Sequence, residues 1–138
     1  MEKIKKFVKS RAGFAITINL ITLIVAVILF RPFWEEGDDV AIALLAEGAY
    51  GAHEPHLLYS NIIYGHILCV LQKILPFLRW HAVLMYLFLF GASSSFCYIL
   101  CKDKRGRVLS IIYLMSAFFE LYVLLQFSKV SAAVAILS

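Results

Sequence analysis

Four carboxylates, Glu35, Glu36, Asp38 and Asp39, stand within five positions, and Glu47, His53, Glu54 and His56 follow shortly after. Closely spaced carboxylates can take a proton from an attacking hydroxyl or hold a divalent ion that screens phosphate charge. Imidazole is a suitable further ligand for such an ion. Asp38 and Asp39 are therefore candidates for a general base and, with His53 and His56, for a divalent metal site. Each has a structural alternative. Asp38 can cap a short helix, DDVAIALLAEG, whose first-turn acids complement the helix dipole and whose Gly48 suits a C-terminal cap. Loop histidines beside Pro55 can simply be solvated. Arg79 and Lys129 can attract a lipid phosphate or serve as interfacial anchors. Glu120 lies in an apolar run, where an ionisable group is expected to face the interior of a helix bundle, as a structural partner or as a functional group.

What positions these residues follows from composition. With 62% hydrophobic and only 16% charged residues, and a mean hydropathy of +0.86, the chain lies far from the roughly 45–50% apolar, 25% charged average of soluble domains. The expected fold class is all-α integral membrane. The net charge of +4 could suggest nucleic acid, but the basic residues flank apolar runs, where orientation in a bilayer accounts for them. No nucleic-acid partner is expected; the lipid bilayer is. Cys69, Cys97 and Cys101 have no metal-ligand spacing, and reduced thiols in membrane helices are expected, with acylation of the Cys97–Cys101 pair the lesser alternative.

The chain opens with MEKIKKFVKSR, five basic residues against one acid, and then runs uncharged from Ala12 to Phe30. About 20 apolar residues span a bilayer, so residues 13–30 form the first expected span. The apolar run is longer than a signal peptide's usual stretch of about 7–15 residues, and no A-x-A site precedes RPFW, which favours an uncleaved anchor. By the positive-inside rule the basic arm is cytoplasmic and Arg31 emerges outside, with Phe33 and Trp34 as interfacial aromatics. Further spans are expected at about 81–100 and 108–127, with small residues from Gly91 to Ser95 allowing close helix contact. SKVSAAVAILS begins a partial fourth.

Residues 57–75 are long enough to cross as well, but Asn61, Gly65, His66, Cys69, Gln72 and Lys73 share one arc of a helix and Ile63, Ile67, Val70, Leu71 and Ile74 fill the other. That pattern describes an amphipathic juxtamembrane helix, whose apolar face buries on the span bundle or in the headgroup boundary. Holding it on the surface also keeps CKDKRGR, four basic residues and one acid, in the cytoplasm. Residues 31–80 are then one external loop carrying three basic and six acidic residues, the opposite bias from the cytoplasmic pieces. The expected organisation is a single membrane domain over residues 1–138, with a cytoplasmic N-terminus, in the plasma membrane.

An anchor helix, an Asp-Asp pair just beyond it, a loop with His-Glu-Pro-His-Leu-Leu-Tyr, a surface helix, an Arg-containing junction at Leu78-Arg79-Trp80 and a span followed by a short basic loop occur here in order. This order resembles the N-terminal part of the GT-C membrane glycosyltransferases of the cell envelope. The resemblance covers nearly the whole chain as short motifs and topology. Asp38-Asp39 matches the acidic pair of that superfamily's first external loop, and the His-Pro-Pro-Leu common in bacterial members is here Glu54-Pro55-His56-Leu57. The resemblance implies transfer of a sugar from a polyprenyl-phosphate-linked donor to an acceptor at the outer face, with Asp38 or Asp39 as general base or metal-linked carboxylate. Such a transfer also needs cations near the lipid headgroup, for which Arg79 and Lys129 are the substrate-binding candidates, with Glu120 a further one inside the third span. Members have at least seven spans, so this chain would be the N-terminal part of a larger multi-span enzyme or a truncated product. The rival expectation is a small non-catalytic structural or accessory membrane protein using the acidic loop for docking. A transporter is a third and weaker one, because no broken-helix repeat supplies a pathway.

Overall fold

A computed structural model describes residues 7–34, 37–57 and 60–137. Lys3, Lys5 and Lys6 of the basic arm, Glu35, Glu36 and the Leu58-Tyr59 end of the loop motif lie outside the described residues. The chain is mostly helical: α1 (Arg11–Val25, continued by a π-helical turn Ala26–Phe30), α2 (Gly37–Glu47), α3 (Ile62–Ile74), α4 (Trp80–Leu100), α5 (Lys104–Ala117, continued by a π-helical turn Phe118–Val123) and α6 (Phe127–Leu137). Two-residue extended pieces, β1 (Phe33–Trp34) and β2 (Leu124–Leu125), follow the two π-helical turns. Three helices, Arg11–Phe30, Trp80–Leu100 and Lys104–Val123, are long and apolar enough to cross a membrane. The third begins and ends four residues earlier than the expected 108–127. The reason is local: Asp103 Oδ1 accepts the Gly106 N–H at 2.7 Å and starts the helix at Lys104, inside the basic loop.

By contacts the chain forms two compact units, Met1–Phe33 with Tyr86–Ser138, and Trp34–Met85. In the first, Ser10 caps α1 by accepting the Gly13 N–H at 3.0 Å. The Arg11 guanidinium lies 4.7 Å from the Tyr98 ring centre and donates to the Tyr98 carbonyl at 3.0 Å, and Arg107 donates to the Lys9 carbonyl at 2.8 Å. The end of the basic arm and the CKDKRGR loop thus share one end of this unit. Phe30, Phe118 and Phe119 cluster edge to face, with ring centres 5.1–5.4 Å apart. Within, Tyr122 donates to Asn19 Oδ1 at 3.0 Å and Tyr86 donates to the Tyr122 carbonyl at 2.8 Å, so these buried groups have partners. Of the small residues in α4, Ala92 and Ser93 are buried while Gly91 and Ser95 are exposed, and all three cysteines are free and buried.

In the second unit α2 packs on α3 through Ile42, Ala46, Leu57 and Leu68, with Leu45, Tyr64, Trp80 and Leu84 against them. Gly48, at φ +77°, ends α2 in the left-handed conformation expected of a C-terminal cap. Asn61 caps α3 by accepting the Ile63 N–H at 2.8 Å. Of the two settings expected for the apolar face of α3, burial against the rest of the chain is not seen, and the face is left open to its surroundings. Ile63, Ile67, Val70 and Ile74 are 47–66% exposed, and Gly65, Leu68, Cys69 and Gln72 turn inward. The inward arc wins because its side chains are small or self-satisfied: Gly65 admits the Pro55 carbonyl, and Gln72 Nε2 donates to the Pro76 carbonyl at 2.9 Å. A Cβ at Gly65 would collide with the Pro55 carbonyl oxygen, which is backbone and has little room to give. Gly65→Ala is therefore expected to destabilise this unit by about 1–3 kcal/mol, read as a lower Tm in detergent. An unchanged Tm would mean that the residue 55 turn is free to shift.

Candidate functional site

The first turn of α2 presents Asp38 and Asp39 about 100° apart, and the two acids meet different fates. Asp38 is exposed, whereas Asp39 retains only 2% exposure. Both complement the positive N-terminal end of the helix dipole, but the cap expected at Asp38 is corrected: α2 starts at Gly37, so Asp38 lies inside the first turn.

Asp39 is buried against an imidazole. Its Oδ1 accepts from His81 Nε2 at 3.2 Å, and the two side chains are 3% and 2% exposed. The other ring nitrogen, Nδ1, lies 2.8 Å from the Tyr64 hydroxyl. Trp34 stacks on the imidazole, ring centres 5.1 Å apart and planes 25° apart, and the Tyr64 ring meets it edge-on at 5.9 Å. Burial, and then the negative charge of Asp39, push the Tyr64 phenol well above its ordinary range, so it keeps its proton. A carboxylate only accepts, so Nε2 carries the proton that faces Asp39. Carboxylate, imidazole and phenol form one buried hydrogen-bonded chain that ties the start of α2 to α3 and to the first turn of α4.

The other candidates lie elsewhere. His53 Nδ1 is 2.7 Å from the Ala46 carbonyl at the far end of α2, eight residues and hence about 12 Å along the axis from Asp38. The exposed His56 binds Glu54 Oε1 through its ring at 2.6 Å and its N–H at 2.9 Å. These bonds, the backbone one foremost, hold the Glu54 carboxyl below its usual range. The Asp38, Asp39, His53 and His56 set is thus not brought together, and among the described residues no group of three or more His, Cys, Asp or Glu is placed to hold a metal ion. Arg79 is exposed in the turn before α4. Glu120, expected to face the bundle interior, is corrected: its side chain is 64% exposed in the π-helical turn and pairs with Lys129 Nζ at 2.7 Å. The ion pair explains the difference, because an exposed carboxylate with a cation beside it avoids the cost of burial.

His81, Tyr64 and Trp34 were not among the candidates from sequence. The available signal was His81 itself, an ionisable residue in the first turn of an apolar helix, which requires a partner. Comparison with known protein families, curated proteins and solved structures finds no match to this chain.

Proposed function

We propose that the chain is an integral membrane protein, part of a GT-C-like enzyme that transfers a sugar from a polyprenyl-phosphate-linked donor to an acceptor at the outer face. Its membrane character is supported by the three long apolar helices, only 22–28% of whose most apolar windows is buried within the chain. So much outward apolar surface needs a hydrocarbon surrounding. The observation that carries the functional reading is the division within the acidic pair: Asp38 is displayed at the start of α2, and Asp39 beneath it is locked to His81.

In this reading Asp38 is the catalytic carboxylate. It takes the proton of the acceptor hydroxyl as that oxygen bonds to the anomeric carbon, and the lipid phosphate departs with the electrons of the broken C–O bond. Asp39 and His81 are positioning residues that fix the helix start. Arg79, exposed beside Trp80, is the counter-charge for the lipid phosphate. The test is sugar transfer from a labelled polyprenyl-phosphate sugar in membranes carrying the protein. Absence of transfer with any polyprenyl-linked donor would favour the accessory role.

The topology has its own test. The thirteen residues of α3 rise only about 20 Å, short of a hydrocarbon core of about 30 Å, which supports a surface position for it. With a membrane-impermeant thiol reagent, Tyr50→Cys and Lys73→Cys should label from outside and Arg105→Cys should not. External labelling of Arg105→Cys would mean that α3 crosses.

A further inference from the structure

In the first unit an apolar groove of about 530 Å³ runs between α1 and α5. Its walls come from single helical stripes, Ile18, Ile21, Thr22 and Val25 on one side and Ile111, Leu114, Met115 and Phe118 on the other. The ring cluster of Phe30, Phe118 and Phe119 closes one end. The hydroxyl in the wall, Thr22 Oγ1, already donates to the Ile18 carbonyl at 2.9 Å, so an occupant need supply no hydrogen bond. Arg31 directly follows Phe30, is exposed, and forms no ion pair among the described residues. Lys129, by contrast, has Glu120 beside it.

We infer that this groove holds one acyl chain of an anionic diacyl phospholipid, with the headgroup phosphate at Arg31. The inference rests on the membrane reading above, which puts the groove at hydrocarbon depth and Arg31 at the interface. Charge complementarity selects the occupant. A hydrocarbon chain alone satisfies the walls, and the cation at the aromatic end adds preference for a negative headgroup over a zwitterionic one. Arg can bind phosphate through two parallel N–H donors.

Native mass spectrometry of the full chain in detergent, with phosphatidylglycerol and phosphatidylcholine of equal chain length in equal amounts, tests it. One retained lipid per chain is expected, with phosphatidylglycerol favoured about fivefold, the attraction typical of one basic residue near an anionic surface. Arg31→Gln should bring the ratio close to one. Ile111→Trp, which fills the groove from its exposed wall, should lower retention of both lipids several-fold at unchanged helicity by circular dichroism. Equal retention of the two lipids by the wild type, or unaltered retention in Ile111→Trp, overturns the proposal. So does displacement of the lipid by a second copy of the chain or by equimolar polyprenyl phosphate. Alkaline carbonate extraction separates the two levels: release of the wild type from membranes sinks the membrane reading, whereas retention without lipid preference sinks only the groove.

Discussion

Asp38→Asn is expected to lower sugar transfer by about 10²–10⁴-fold, the usual contribution of a general base, while the protein still accumulates in membranes. Asparagine keeps the size and hydrogen-bonding reach of aspartate but takes up no proton near neutral pH. Its structural cost is small, since loss of one exposed charge at a helix start removes about 0.3–1 kcal/mol of dipole interaction. Asp39→Asn should behave differently. Its amide oxygen can still accept from His81 Nε2, so turnover should fall far less than in Asp38→Asn, through displacement of the helix start. Transfer from a labelled polyprenyl-phosphate sugar, normalised to the amount of protein in the membrane, measures both. Full activity in Asp38→Asn with a large loss in Asp39→Asn would reverse the roles, and full activity in both would remove the acidic pair from the chemistry.

The three long helices were legible because their signal is cumulative: a long, predominantly apolar stretch tells of a helix that can cross a bilayer wherever its neighbours lie. The Gly48 cap was legible for a related reason, since it depends on chemistry within a few residues, whereas the cap expected at Asp38 is not formed because the helix already starts at Gly37. For α3 the sequence left two settings open, because periodicity says which residues share an arc and not which arc faces the protein; here the apolar arc with Ile67 faces outward and the small one with Gly65 faces inward. The site escaped for a third reason. Asp39, Tyr64 and His81 are joined across 42 positions, and neither spacing nor composition encodes such a meeting. Only the cost of leaving His81 unpartnered in an apolar first turn pointed to it.

That cost sets the largest expected effect on stability. His81→Leu removes the imidazole partner of a carboxylate only 2% exposed, and breaking a buried pair from one side costs about 3–5 kcal/mol. Against a typical domain stability of about 5–15 kcal/mol, this variant should unfold at a much lower temperature in detergent or fail to accumulate. Tyr64→Phe loses one neutral hydrogen bond and keeps the ring that packs on the α2–α3 core, so about 0.5–1.5 kcal/mol is expected. The decisive comparison is the double variant Asp39→Leu with His81→Leu. Replacing both partners by apolar side chains removes the buried carboxylate along with the imidazole it faces, so the double variant should be more stable than His81→Leu alone, a coupling seen only if the two groups meet in the folded protein. Strictly additive losses, or a His81→Leu variant no less stable than Tyr64→Phe, would show that Asp39 does not depend on His81 and would break the link between the start of α2 and α4 on which the positioning role of Asp39 rests.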